Sequence, residues 1–371
     1  MTRLRDLGLS VGQLPPGPLN AITDVAGVRV GVVTLIEGDG PLAVGQGPVR
    51  TGVTVVVPHD RIGDSPVFAG THTLNGNGEM TGLEWVRESG HLSTPVAITN
   101  THSVGVVRDA LVSAEMAHRD ARGSYWSLPV VAETYDGALN DINGMHVTAA
   151  HLHQALAASS DGPVPEGNVG GGTGMICHEF KGGTGTASRL VNGWRVAALV
   201  QANYGDRERL AIDGVPVGRE LTRHVIPSAW DDEEAAARAG AGSIIVVLAT
   251  DAPLLPHQLD RLAQRAGLGI ARAGGNGAQS SGDIFLAFST ANVDAMHSDK
   301  SETGMEAFSV DMLPGPAISE LFWGAIESTE EAICNALVAA ETMTGRDGIT
   351  AHALPHGALV EVMNRYGRGP S

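Results

Sequence analysis

Residues 242–272 read GSIIVVLATDAPLLPHQLDRLAQRAGLGIAR and join an apolar run to an amphipathic stretch. The run at 244–249 is wholly apolar and has the length of a strand, so both of its faces should be buried. Pro256 is a favourable first helical residue, and Leu259 and Leu262 recur on one face behind it, which predicts a helix that Gly267 closes. This order of elements predicts a sheet that is covered by helices.

The flanking sequence continues the alternation of strands and helices. Runs rich in Val, Ile and Thr and bounded by glycine or proline predict strands at 27–35, 51–58, 94–100, 129–134 and 283–290. Helical spacing is present at 104–118, 148–158 and 319–345. The last of these is the longest, and its glutamate-rich face should point outward. The pattern favours an α+β sandwich with helices over both outer surfaces.

A hairpin is predicted near the middle of the chain. The pair Asn192-Gly193 separates two β-like runs, and Asn-Gly is a strong hairpin signal because both residues accept a positive φ. The second run ends at Asn203, which should therefore lie at a strand end.

Composition excludes several classes of function. The chain has 371 residues and a formal net charge of −17, which would repel the phosphates of nucleic acids and anionic lipids and attract a cationic ligand. No apolar stretch approaches the roughly 18 residues that a membrane helix needs. Glycine and proline interrupt the beginning of the chain where a signal peptide would be apolar. We therefore expect a cytoplasmic protein without nucleic-acid or membrane partners.

Common catalytic and metal motifs are not matched. The chain has no G-x-S-x-G elbow, and its two cysteines are too few for a disulfide framework or a cysteine-based zinc cluster. CHEFK at 177–181 begins like a zinc-protease helix but lacks the second histidine. GNVGGGTGM at 167–175 lacks the end of a phosphate loop and is interpreted as a tight loop that passes close to another segment. We expect no metal and no cofactor.

The junction Gly242-Ser243 stands before the apolar run and behind DDEEAAARAGAG (231–242), which should unwind into an exposed hinge. A glycine imposes no side chain on a strained peptide bond, so the Ser243 hydroxyl could attack the Gly242 carbonyl and cleave the chain there. The freed amine of Ser243 could then act as a general base beside its own hydroxyl. The alternative is an ordinary turn at the entry to a strand, and local composition does not exclude it.

Six segments carry a longer pattern: ITDVAGVRVG (22–31), AETYDGALNDING (132–144), EGNVGGGTGMICHEFKGGTGTASR (166–189), LVQANYGD (199–206), 242–272 and SSGDIFLAFSTAN (280–292). Together they resemble the L-aminopeptidase D-Ala-esterase/amidase family, which includes the β-peptidyl aminopeptidases. The resemblance implies a four-layer αββα sandwich, similar to the N-terminal-nucleophile hydrolases but with different strand connections. It also implies one domain, 1–371, that cleaves itself between Gly242 and Ser243 into an α chain (1–242) and a β chain (243–371).

The resemblance further implies roles for individual residues. Ser243 would be the nucleophile, and the Asn203 side chain with the Gly282 backbone N–H would form the oxyanion hole. Ser281 and Asp283 flank Gly282 and would orient the nucleophile, its amine or the substrate. Tyr135 matches an active-site tyrosine of the family. The spacing, rather than the resemblance, indicates Glu133, which is two residues before Tyr135 and therefore on the same strand face. We expect it to pair with the ammonium group of the substrate, and the alternative is an ordinary surface salt bridge.

The expected activity is that of a self-processing serine aminopeptidase without a cofactor. Its substrates would be short peptides, amides or esters with a free amino group, including D- or β-amino acid derivatives. The family habit implies a homo-oligomer, a tetramer of αβ heterodimers. Two alternatives are an acyltransferase similar to the ornithine acetyltransferases, which cleave before threonine, and a non-catalytic metabolite-binding protein on the same scaffold.

Overall fold

The computed structural model describes residues 1–117, 119, 125–230, 242–293 and 307–370. The acidic segment 231–241, expected to be an exposed hinge, lies outside these ranges. The strands are β1 (Arg29–Glu37), β2 (Val49–Val57), β3 (Val67–Gly76), β4 (His91–Leu92), β5 (Val96–Asn100), β6 (Val130–Thr134), β7 (Ile176–Cys177), β8 (Phe180–Lys181), β9 (Gly183–Val191), β10 (Trp194–Asn203), β11 (Gly242–Thr250), β12 (Ser281–Ser289), β13 (Met343–Thr344) and β14 (Thr350–Ala351). The helices are α1 (Leu83–Ser89), α2 (Val104–Met116), α3 (Ala149–Ala157), α4 (Val217–Glu220), α5 (Pro256–Arg272), α6 (Ile318–Val338) and α7 (His356–Arg365).

Two sheets form the centre of the molecule. The smaller has the order β1-β2-β5-β6, and the larger has the order β4-β3-β12-β11-β10-β9. In the larger sheet β11 pairs antiparallel with β10 and parallel with β12. Every residue of β11 after Gly242 is buried, as the apolar run predicts.

The hydrophobic cores show four layers. Side chains such as Ile98, Leu199 and Leu286 fill the space between the two sheets. The outer face of the larger sheet packs under α5 and α6, and that of the smaller sheet packs under α2 and α3. The αββα sandwich predicted from the sequence is therefore confirmed. Among the described residues, no helix is long and apolar enough to cross a membrane.

The predicted turns agree with the structure. Asn192 and Gly193 both have positive φ, +51° and +91°, and join β9 to β10 as a hairpin. The glycine-rich loop passes close to neighbouring backbone, since a Cβ on Gly172 would lie 2.3 Å from the amide nitrogen of Thr184. The interpretation of this loop as a close approach rather than a phosphate site is thus supported by its geometry.

The predicted end of α5 is wrong. The helix continues through Gly267 to Arg272. A Cβ on Gly269, in the last turns, would lie 2.6 Å from the carbonyl oxygen of Ile326 in α6. Close packing of the two helices outweighs the roughly 1 kcal/mol by which glycine disfavours a helix interior.

The outward orientation predicted for the glutamates of α6 is also wrong for three of the four, since only Glu320 is exposed. Glu327, Glu330 and Glu331 are all buried. Arg189 of β9 lies 3.1 Å from Glu327 and 2.7 Å from Glu331, and Arg272 of α5 lies 2.5 Å from Glu330. Burial of these carboxylates is tolerated because each is paired with a cation. The helix also ends at Val338, before the predicted limit.

Candidate active site

Strand register brings three predicted site residues together at one end of the larger sheet. Asn203 is paired with Ser243 across β10 and β11, and Ser243 is paired with Gly282 across β11 and β12. These three residues come from segments that are far apart in the sequence. Because they are neighbours across a sheet, the serine lies between the two groups predicted to stabilise an oxyanion.

The Ser243 hydroxyl contacts the peptide bond that precedes it. Its Oγ donates to the Gly242 carbonyl oxygen at 2.7 Å and accepts from the Gly282 backbone N–H at 3.2 Å. Gly242 has a φ of +140°, and a Cβ at this position would lie 2.3 Å from the carbonyl oxygen of Asn203. Glycine is therefore required here both for its conformation and for its lack of a side chain.

The Asn203 side chain is held by two backbone groups. Its Oδ1 accepts from the Ile176 N–H at 2.8 Å, and its Nδ2 donates to the Tyr135 carbonyl at 2.9 Å. An amide nitrogen has two N–H donors, and the Tyr135 carbonyl takes one of them. The amide orientation is thus determined by segments outside the larger sheet.

Glu133 and Tyr135 reach the site from the smaller sheet. Glu133 is buried on β6, where it accepts from the Thr101 hydroxyl at 2.5 Å and from the Glu79 backbone N–H at 2.9 Å. Burial raises the pKa of the Glu133 carboxyl, and these hydrogen bonds partly oppose that effect. Tyr135 follows the strand and is 46% exposed.

A cavity of about 770 Å³ opens over Ser243. Its wall includes Ser243, Asn203, Glu133 and Tyr135, so the structure gathers these four predicted residues around one space. Ser281 and Asp283 instead bond each other, with the Ser281 hydroxyl donating to Asp283 at 2.6 Å. The carboxylate also accepts from the Asn75 amide at 3.2 Å, and burial raises its pKa.

Apart from the four residues above, the cavity wall was not predicted from the sequence. Four carboxylates line it, namely Glu79, Glu133, Glu179 and Asp206, and the aromatic residues Tyr204 and Trp230 lie beside them. Among the described residues, no lysine or arginine lines the cavity, although Arg223 pairs with Glu179 at 2.7 Å. These residues come from separate segments without a shared local pattern, and only the net negative charge of the chain indicated such a wall.

The CHEFK segment is not a helix. His178 and Glu179 have positive φ values of +48° and +63° and form the turn between β7 and β8. His178 is fully buried, and burial lowers its pKa to about 4. Within the described ranges, no group of three or more His, Cys, Asp or Glu residues could hold a metal ion.

Comparisons with known proteins identify relatives over almost the whole chain. The model of peptidase family S58 matches residues 20–351. The chain is 51% identical to "Beta-peptidyl aminopeptidase BapA" of Sphingosinicella microcystinivorans, with 99% of this chain and 93% of the relative covered.

Solved structures show the same similarity. A β-aminopeptidase of Burkholderia sp. has a TM-score of 0.90 and 53% identity, with 99% of both chains covered. The L-aminopeptidase D-Ala-esterase/amidase of Ochrobactrum anthropi has a TM-score of 0.88 and 46% identity, also with 99% of both chains covered. The latter is described as a prototype serine aminopeptidase with a variant of the N-terminal-nucleophile hydrolase fold. The resemblance and fold class predicted from the sequence are confirmed, and the chain belongs to peptidase family S58.

Proposed function

We propose that the chain is a self-processing serine aminopeptidase whose single domain cleaves itself between Gly242 and Ser243. The mature enzyme would consist of an α chain (1–242) and a β chain (243–371). The observation that carries the proposal is the contact of the Ser243 hydroxyl with the Gly242 carbonyl, between Asn203 and Gly282. The relatives, which are named as aminopeptidases, support hydrolysis over acyl transfer or a non-catalytic role.

Self-cleavage begins with attack of the Ser243 Oγ on the Gly242 carbonyl carbon. A bond from Oγ to carbon forms, the bond to the Ser243 nitrogen breaks, and the hydroxyl proton ends on the new amine. Water then hydrolyses the ester, which releases the Gly242 carboxylate and restores the hydroxyl. The Gly282 N–H donates to the Ser243 hydroxyl, and Asn203 is the register partner of Ser243. Asn203 Nδ2 and the Gly282 N–H would therefore stabilise the negative charge of the tetrahedral intermediates.

Turnover would use the same groups on an incoming substrate. The neutral α-amine of Ser243 accepts the proton of its own hydroxyl as Oγ bonds to the substrate carbonyl carbon. The ammonium then gives this proton to the leaving amine or alcohol as its bond to the carbonyl carbon breaks. Water hydrolyses the resulting ester, which releases the amino acid and restores the Ser243 hydroxyl. The Ser281–Asp283 pair lies on β12 beside the nucleophile and would orient the new amine. Tyr135 would donate from its hydroxyl to the reacting groups, since it lines the same cavity.

Glu133 would bind the free ammonium of the substrate. It is the buried carboxylate of the cavity wall on β6, and Thr101 and the Glu79 N–H fix its two oxygens. A cavity with four carboxylates attracts a cationic amino terminus and disfavours blocked substrates. Short peptides, amino-acid amides and esters carry such a group, and the names of the relatives extend the class to β-amino acid and D-alanine derivatives.

We further propose a homo-oligomer, a tetramer of αβ heterodimers. Light scattering coupled to size exclusion should give the mass of four complete chains, and a monomeric mass would contradict this part of the proposal.

Intact-mass measurement tests the maturation. Wild-type protein should give two chains, and Edman sequencing of the shorter should give Ser-Ile-Ile-Val-Val. Ser243→Ala should remain one inactive chain, and Ser159→Ala, which changes a serine on the far side of the smaller sheet, should mature normally. A wild-type protein that stays intact and still hydrolyses aminoacyl amides would refute the mechanism.

A further inference from the structure

Lys181 is a buried cation without a carboxylate partner in the described part of the chain. It lies on β8 and its exposed fraction is 0%. Its Nζ donates to the carbonyls of Met175 at 2.8 Å and Gly182 at 2.9 Å, with a longer contact of 3.5 Å to Gly172. The chain has only two lysines, Lys181 and Lys300, and Lys300 lies outside the described residues.

Burying an unpaired ammonium is unfavourable, and a methionine of similar length would fill the space without that penalty. Burial on its own would lower the pKa of Lys181 to about 7. The three carbonyls have the opposite effect, because an ammonium has three N–H donors and each carbonyl accepts from the charged form. Packing alone therefore does not account for a lysine here.

The contacts of Lys181 lead to the active site. Met175 O, which accepts from Lys181, belongs to the same peptide group as the Ile176 N–H. That N–H donates to Asn203 Oδ1 at 2.8 Å, and Asn203 is the register partner of Ser243 and lines the same cavity. The peptide is also held by the Gly182 N–H, which donates to Met175 O at 2.9 Å.

We propose that Lys181 is a positioning residue for the reaction, whose ammonium fixes and polarises the Met175–Ile176 peptide and thereby orients the Asn203 amide towards the oxyanion. In a chain of hydrogen bonds a charge at one end strengthens each following bond. The positive charge makes the Ile176 N–H a better donor, and the bond to Oδ1 makes the Asn203 N–H groups better donors in turn. This inference rests on the proposed role of Asn203 in the oxyanion hole.

A double-mutant cycle separates this role from a structural one. Lys181→Met should lower kcat, per mole of mature β chain, about tenfold with little change in KM, because the oxyanion exists only after binding. In the Asn203→Ala background the same substitution should cause no further loss. Lys300→Met, which removes the other lysine, should retain wild-type kcat.

The double-mutant cycle is measured for substrate turnover and for the rate of self-cleavage. If the Asn203→Ala variants mature too slowly for turnover to be measured, their self-cleavage rates still give the coupling. Equal losses from Lys181→Met in both backgrounds, or a lower Tm with unchanged kcat, would overturn the inference. Wild-type activity of Asn203→Ala would instead refute the oxyanion assignment in the proposed function.

Two further measurements address the charge. Lys181→Gln retains neutral donors and should fall between wild type and Lys181→Met in kcat, whereas full wild-type activity would overturn a role for the charge. In NMR spectra of Lys300→Arg protein labelled with ¹⁵N-lysine, the single Nζ signal comes from Lys181. The active site itself is not changed in this protein. An ammonium signal is expected at the pH of maximal kcat, and a neutral amine there would overturn the inference.

Discussion

Replacing Gly242 with alanine should slow self-cleavage about 100-fold. The new Cβ would lie 2.3 Å from the Asn203 carbonyl oxygen and 2.7 Å from the Tyr204 Cα. An ordinary contact is roughly 3.4 Å or more, so the start of β11 must move about 1 Å away from β10. The φ of +140° adds strain of about 1–3 kcal/mol for any residue other than glycine.

The displacement acts directly on the reacting atoms. Gly242 carries the scissile carbonyl, and Asn203 is the register partner of Ser243. A misplacement of about 1 Å in a catalytic constellation typically lowers a rate about 100-fold, which corresponds to about 2.7 kcal/mol in the barrier. Once the bond is cleaved, residue 242 is no longer joined to Ser243, so the mature fraction should turn over substrate at close to the wild-type rate.

Intact-mass spectra recorded over time after purification follow the loss of the full-length chain. Gly105→Ala is the matched control, because a Cβ at Gly105 in α2 would meet nothing within 4 Å. This variant should mature as the wild type does. If Gly242→Ala matures as fast as Gly105→Ala, the close approach of Gly242 to β10 does not control self-cleavage.

Three other substitutions test the site and the fold. Glu133→Gln should raise KM for aminoacyl amides about tenfold with a smaller effect on kcat, and the wild-type enzyme should not hydrolyse N-acetylated amides. Burial raises the Glu133 pKa, so the carboxylate is protonated at a higher pH than an ordinary one. As pH falls, wild-type KM should therefore begin to increase at that higher pH. Asn203→Ala should lower kcat/KM by about 100- to 1,000-fold at every pH. The midpoint of the plot of kcat/KM against pH should not move, because the α-amine of Ser243 sets it and an amide side chain does not titrate. A shifted midpoint would contradict the assignment of Asn203 to the oxyanion hole. Burial raises the pKa of Asp136 to about 7, so its contribution to stability is full in acid and is lost as pH rises through that value. Asp136→Asn should therefore flatten the dependence of Tm on pH between about 4 and 7 in calorimetry, and an unchanged slope would contradict the assignment.

Several local features could be predicted from the residues alone. The apolar run at 244–249 implied a strand buried on both faces, and Asn192-Gly193 implied the hairpin that carries Asn203. The strand prediction rests on the tendency of apolar residues to be buried, and the hairpin prediction on residues that accept a positive φ. Both tendencies act over a few residues, and tertiary contacts did not override them. The Gly242-Ser243 junction could also be recognised from a few residues, although local composition did not distinguish a self-cleavage site from an ordinary turn.

Predictions for the two long helices were wrong where residues distant in the sequence determine the structure. The glutamates of α6 were predicted to face solvent because charged residues normally do. Three of them are buried because Arg189, from β9, pairs with Glu327 and Glu331, and Arg272, from α5, pairs with Glu330. Gly267 was predicted to end α5, but packing against α6 continues the helix to Arg272.

The sequence by itself determined the types of the principal elements, the glycine before Ser243 and, through resemblance, the family. The resemblance also associated Asn203 and Gly282 with Ser243, but only the tertiary structure decided the strand register that places them on either side of it. Only the structure decided that Glu133 comes from the other sheet and that four carboxylates line the cavity. The physical reason is the separation along the chain over which each kind of interaction acts. Local backbone preferences and hydrophobic periodicity act over a few residues, whereas strand register, ion pairing and the link from Lys181 to Asn203 join segments that meet only when the two sheets pack.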